Sequence, residues 1–168
     1  MAMNSFHVGM ADLVVASAPA KLITLGLGSC IGLVIFDTTA KIAGMVHIML
    51  PDSRGAKSLE KVGKFADTAV PALLDEMIKK GAYDSQVKVF MDEDRGVITV
   101  SFIAMLMDGT RDGARPALYL VETTDMLSRM GIPLVASDTG GNKGRTVEFS
   151  TDTWILTIKT LGKGTSEI

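Results

Sequence analysis

Cys30 is the only cysteine of the chain, and it follows directly on Gly26-Leu27-Gly28-Ser29. A thiol of ordinary pKa, about 8.5, is mostly protonated at neutral pH, and a neighbouring imidazolium raises its reactive thiolate fraction. His47 is one of only 2 histidines and lies on what reads as the next strand. Gly26 and Gly28 allow the backbone to approach a substrate closely. The N–H groups around Ser29 and Cys30 can hold a developing oxyanion, an effect of about 3–4 kcal/mol per donor in known cases. Thr24, on the strand entering this loop, carries a hydroxyl that can orient His47, the third-group role of a triad. These are the parts of a thiol acyl-transfer site: Cys30 as nucleophile, His47 as base, Thr24 as orienting group, and Gly26, Gly28 and Ser29 as an oxyanion loop. Each part also has a plainer use. A lone cysteine is commonly small core filler, a strand histidine is commonly a satisfied core residue, and GLGSC can be no more than a tight turn. One cysteine and two histidines, with His7 far off, do not make a four-ligand zinc set, so neither a metal nor another cofactor is expected.

The parts do chemistry only if they meet. Ile31–Phe36 and Ala43–Leu50 read as strands joined across Asp37-Thr38-Thr39-Ala40-Lys41, a hairpin turn. A turn centred between Thr38 and Thr39 sets Cys30 directly opposite His47, with Cβ atoms ~5 Å apart. A turn centred elsewhere puts them diagonal or on opposite faces.

The rest of the chain supplies a frame. His7–Val15 reads as a first strand with a bulge and Lys21–Leu25 as a second. Ile31–Phe36 and Ala43–Leu50 are apolar on both faces and are expected to be central and covered on both sides. Ala66, Ala69, Val70, Leu73 and Met77 recur near the helical period. That predicts a helix over Asp67–Lys80, capped by Asp67 or Thr68 and ended by Gly81, with Pro71 in its first turn. Gln86–Phe90 and Gly96–Met107 read as strand-forming. Ala117–Met130 reads as a second helix with Leu118, Val121 and Leu127 on one side. Ile132–Ala136, Thr146–Ser150 and Trp154–Lys159 read as further strands. The expected fold is a single α+β domain over residues 1–168, a layered α/β sandwich with a sheet-rich core and two main helices packed on it. A second glycine-rich stretch, Asp138-Thr139-Gly140-Gly141-Asn142-Lys143-Gly144-Arg145, lacks the Walker spacing and precedes a strand. It is an ordinary loop, an anion cradle or a pocket rim rather than a nucleotide P-loop.

Composition narrows the class. The 168 residues are 47% hydrophobic and 21% charged, with a net charge of −2. That suits a folded domain rather than disorder. A slightly acidic chain with 5% aromatics offers neither a phosphate-binding face nor a base-stacking platform, so no nucleic-acid partner is expected. No apolar run reaches the ~20 residues that span a bilayer, and no signal-peptide pattern opens the chain. With one cysteine and no internal disulfide, a cytoplasmic protein is the expectation.

Two blocks, Thr24-Leu25-Gly26-Leu27-Gly28-Ser29-Cys30 and Gly44-Met45-Val46-His47-Ile48-Met49-Leu50-Pro51-Asp52-Ser53, resemble the CheD family of bacterial chemotaxis. So do Lys64–Ala69, Asp138–Asn142 and Gly144–Phe149, all in order along the chain. The resemblance implies a protein-glutamine deamidase that converts particular glutamines on the cytoplasmic helices of chemoreceptors to glutamates. It assigns the nucleophile to Cys30, the histidine to His47 and the assisting threonine to Thr24. It also implies the phosphatase CheC as a partner in many species. One region, residues 90–116, departs from the family pattern: Phe90–Thr99 replaces a glycine-rich segment, and Pro116 stands where asparagine is usual. A thiol-dependent receptor methylesterase and a non-catalytic adaptor for CheC or receptors are the competing expectations.

Overall fold

The computed structural model describes residues 3–82, 98–104, 115–138 and 143–168. The expected strand over Gln86–Phe90 and most of the atypical 90–116 segment lie outside them. The apolar runs dictate the centre of the fold. β4 (Ile31–Asp37) and β5 (Ile42–Ile48) are buried at every position and pair antiparallel in a sheet ordered β2-β5-β4-β6-β7. The other strands of that sheet are β2 (Leu13–Ser17), β6 (Ile98–Ala104) and β7 (Leu134–Asp138). A second sheet, ordered β1-β3-β8-β9-β10, contains β1 (Asn4–His7), β3 (Ala20–Leu27), β8 (Arg145–Ser150), β9 (Leu156–Thr160) and β10 (Gly164–Glu167). Strand β8 alternates buried and half-buried residues, as a sheet with one wet face requires.

Alternate residues of β4 and β5 serve two cores. Leu33, Ile35, Val46 and Ile48 pack with α1 (Ala66–Lys79) and with Leu127 of α2 (Arg115–Arg129). Val34, Phe36, Ala43 and Met45 pack between the sheets against Leu22, Val147 and Phe149. The layers therefore run sheet, sheet, helices, the α+β sandwich expected from the sequence. Helix α1 lies so close to β5 that a Cβ at Gly44 would sit 2.7 Å from Leu73 Cδ1. At one end of the inter-sheet layer Phe36, Phe149 and Trp154 form an aromatic trio with centroids 5.1–6.2 Å apart. The other end of the same strands carries the candidate site.

Several local expectations are corrected. The stretch His7–Val15 is not one bulged strand, because β1 and β2 belong to different sheets and Val8–Asp12 crosses between them. Helix α1 starts at Ala66 with no side-chain cap. The Asp67 carboxylate instead accepts the Ser53 N–H at 3.0 Å and its hydroxyl at 2.7 Å, so Asp67 anchors a loop rather than a helix end. With that start, Pro71 stands beyond the first turn, where its missing N–H leaves the Asp67 carbonyl without an i→i+4 bond. In α2 Val121 is exposed while Leu127 is buried; their spacing turns them about 120° apart at 100° per residue, so they cannot share a face. Strand β10 was not expected, and its four residues are all exposed.

Candidate active site

The hairpin register decides how Cys30 meets His47. The Asp37 carboxylate accepts the N–H groups of Thr39 and Ala40 at 2.9 and 2.8 Å. Lys41 adopts φ 57°, and together these build a four-residue turn between the last pair, Asp37 and Ile42. The turn centre moves one residue toward the C-terminus of the expected position. His47 consequently pairs with Gly32, and Cys30 is its diagonal neighbour rather than its direct one. A one-residue move of the centre preserves the face. Cys30 shares the side of Gly32 and Val34 and packs against the inter-sheet core. Diagonal pairs stand ~7–8 Å apart, within reach of longer side chains.

Thr24 and His47, both essentially fully buried, face each other from the two sheets. The Thr24 hydroxyl donates to the Val8 carbonyl at 2.8 Å, and its oxygen lies 2.9 Å from His47 Nδ1. A hydroxyl has one hydrogen and a carbonyl can only accept, so Nδ1–H must donate to Thr24 Oγ1. The neutral ring therefore carries its proton on Nδ1 and presents Nε2 as an unprotonated acceptor. Nε2 is buried with no partner among the described residues. A free lone pair held in one tautomer is what a general base requires.

The backbone around His47 is bracketed by the Val8–Asp12 crossing. The Ala11 N–H donates to the His47 carbonyl at 2.9 Å, and the His47 N–H donates to the Asp12 carbonyl at 3.1 Å. Ala11 holds a left-handed φ of 61°. Beneath it Gly63 leaves no room, because a Cβ there would lie 2.5 Å from the Ala11 carbonyl oxygen.

The loop before Cys30 begins at a bulge. The β3–β8 register shifts between Thr24 and Leu27, and Gly26 takes φ 67° with open space where a Cβ would stand. Gly26 and Ser29 are exposed, and Gly28 and Cys30 are half-buried. The loop thus offers backbone N–H groups and the thiol at the rim of the inter-sheet layer.

Electrostatics oppose a resting ion pair. Burial pushes the Cys30 thiol above its ordinary value. Burial also pushes His47 down, partly offset by the charge of Asp12. Both shifts favour the neutral forms, a thiol and an uncharged imidazole, unlike the imidazolium-lowered thiol expected from the sequence. The arrangement suits proton transfer to Nε2 during attack rather than a thiolate formed in advance.

Three contributors were missed in the sequence. Two are the Val8 carbonyl and the Asp12 backbone, which have no side-chain signal. The third is an ion pair at the ends of the second glycine-rich segment: Arg145 donates from Nε to Asp138 Oδ2 at 3.2 Å and from Nη2 to Oδ1 at 3.0 Å. The flanking opposite charges were its only trace; residues 139–142 lie outside the described part. Among the described residues no group of three or more His, Cys, Asp and Glu is placed to hold a metal, and no helix is long and apolar enough to cross a membrane.

The chain is similar to known proteins. A family model described as "CheD chemotactic sensory transduction" matches residues 49–91 and 120–160. A protein of Clostridium novyi (strain NT) named "Probable chemoreceptor glutamine deamidase CheD" is 42% identical over 96% of both chains. One of the same name from Clostridium botulinum (strain Hall) is 42% identical over 100% of both. A solved Neisseria meningitidis protein matched to the family DUF152 overlaps 83% of this chain at 8% identity and a TM-score of 0.44. On the family match and the full-length likeness to the clostridial proteins, the chain belongs to the CheD family.

Proposed function

We propose that this protein deamidates glutamine side chains of chemoreceptors through a Cys30 thioester. The observation that carries the reading is His47 Nε2, unpartnered, buried and held deprotonated by the Val8–Thr24–Nδ1 chain. The full-length relatives named as glutamine deamidases supply the substrate class.

The steps follow from the residues. Cys30 gives its proton to His47 Nε2 as sulfur attacks the amide carbon, forming a C–S bond and an oxyanion. The N–H groups of the Gly28-Ser29-Cys30 turn hold that charge. The intermediate collapses with cleavage of the C–N bond, and the imidazolium returns its proton to the departing amine, releasing ammonia. Neutral His47 then takes a proton from water, whose oxygen attacks the thioester. The C–S bond breaks, the sulfur is reprotonated by the imidazolium, and the product is glutamate. Thr24 keeps Nδ1–H engaged throughout, so Nε2 faces the reacting atoms in both halves.

Incubation with a chemoreceptor cytoplasmic fragment should release ammonia, with a mass gain of about 1 Da per converted glutamine. Release that persists in Cys30→Ala excludes the thiol mechanism. Methanol from a methylated receptor in the same assay would identify a methylesterase instead, since a thioester also forms from an ester. Retained receptor binding without any product would identify an adaptor. The reading places the enzyme in the cytoplasm, where receptor signalling helices are accessible, and includes CheC as a partner; co-purification with CheC tests that part.

A further inference from the structure

The three residues of the site do not sit on one element. Thr24 belongs to β3 of one sheet, His47 to β5 of the other, and Cys30 to the connection that leaves β3 and enters β4. Their mutual placement therefore depends on how far apart the sheets stand at this end. The far end is fixed by the aromatic trio, whereas at the site end Leu27 of one sheet packs against Gly32 of the other. There the Thr24–His47 contact and the Arg145–Asp138 ion pair join the two sheets.

Arg145 is placed to matter. It is cross-strand partner of Leu27, the pair at which the β3–β8 ladder resumes after the Gly26 bulge. It is thus the last register point of its sheet before the nucleophile loop. Its side chain is 8% exposed and meets Asp138 through two nitrogens. Asp138 ends β7 and pairs with Ile103 of β6, whose next residue, Ala104, lies opposite Ile31. One end of the pair is therefore registered to the residue entering the Cys30 loop and the other, through β6, to the residue leaving it. A planar two-point contact fixes direction as well as distance.

We propose that the Arg145–Asp138 pair is a positioning clasp that sets the spacing of the two sheets at the end carrying Thr24, Cys30 and His47. It touches neither substrate nor reacting atoms and acts through the loop and the sheets. The clasp keeps the thiol half-buried and in line with Nε2. Loosening it admits water beside Cys30 while spoiling the alignment. This rests on Cys30 being the nucleophile, and it predicts two effects of opposite direction.

The test uses the full chain, its single thiol and a conservative variant. Asp138→Asn keeps size and one acceptor but removes the charge. In deamidation its kcat should fall ~10-fold with KM within ~2-fold, because alignment rather than binding is lost. Alkylation of Cys30 by iodoacetamide at pH 7 should instead become ~3-fold faster, with its pH midpoint moved down as burial relaxes. The exchange Asp138→Arg with Arg145→Asp should restore both toward wild type. Circular dichroism checks that the fold persists; should Asp138→Asn not fold, Arg145→Lys, which keeps the charge but not the fork, carries the same comparison. Alkylation with wild-type rate and pH profile in the variant overturns the clasp. A shifted alkylation profile in a protein that deamidates nothing removes the deamidase reading and leaves the clasp standing.

Discussion

Gly32, not Cys30, is the residue that faces His47 across the β4–β5 ladder. The histidine therefore looks across a strand position that has no side chain, and the space a Cβ would occupy is bounded by Leu27 Cδ1 at 2.8 Å and Thr24 Cγ2 at 3.5 Å. Gly32→Ala should push Leu27, which is fully buried, toward the Cys30 loop. A loss of about 1–3 kcal/mol, typical of overpacking, is expected in denaturant titrations, together with a kcat decrease larger than that of an equally destabilising change in the aromatic end.

Thr24→Val preserves shape and removes the hydroxyl. The buried Val8 carbonyl then lacks its donor, which costs about 1–3 kcal/mol, and His47 is free to adopt the other tautomer. Loss of the correct tautomer in a triad costs up to about 10⁴-fold in kcat; here at least ~10²-fold is expected. Thr24→Ser should retain most activity. Nitrogen chemical shifts of His47 distinguish the tautomers directly, and an unchanged Nδ1–H signal in Thr24→Val would remove the assignment.

The pH dependence follows from two neutral groups. His47 is depressed below 6.5 by burial, so between its folded value and 6.5 the unfolded chain binds more protons than the native one. Stability from this group is present above 6.5 and is lost as pH falls through the folded value. Cys30 is raised above 9.0 by burial; from 9.0 up to its folded value the native state holds the extra proton, so stability falls as pH rises through that window. Activity should keep its acid limb below 6.5, and Cys30 alkylation should be slow near neutrality. Rapid alkylation at pH 6 would instead reveal a resting thiolate–imidazolium pair.

Two glycine substitutions should separate space from backbone. Gly63→Ala drives a Cβ into the Ala11 backbone, displacing the Val8–Asp12 crossing that brackets His47. A cost at the upper part of the ~1–3 kcal/mol overpacking range and a marked loss of activity are expected. Gly26→Ala meets no atom but must hold φ 67°, a penalty of about 1–2 kcal/mol. Its melting temperature should therefore fall less than that of Gly63→Ala.

What the sequence made legible was whatever its apolar pattern forces. Strands β4 and β5 are apolar on both faces, so their central place and two-sided burial could be read directly, as could α1 from its 3.6-residue period. The register could not, because the turn centre depends on Asp37 folding back on two N–H groups rather than on any apolar choice. Likewise His7–Val15 hides a crossing between sheets whose purpose is carried by backbone atoms at Val8, Ala11 and Asp12. Strand β10 is polar and exposed, so no alternation announces it. Cys30, His47 and Thr24 could be named in advance from residue type and resemblance; the proton on Nδ1 could not, since it follows from where Val8 places its carbonyl.

The aromatic trio has a practical consequence at the opposite end of the molecule. Trp154 is the sole tryptophan and Cys30 the sole cysteine. Trp154 stacks on Phe36 near the close of β4, while Cys30 immediately precedes that strand. A strand of this length spans ~20 Å, a separation suited to energy transfer from indole to a thiol-linked dye. The native sequence is thus already a spectroscopic ruler laid along its own interior, able to report separation of the layers without a single added label site.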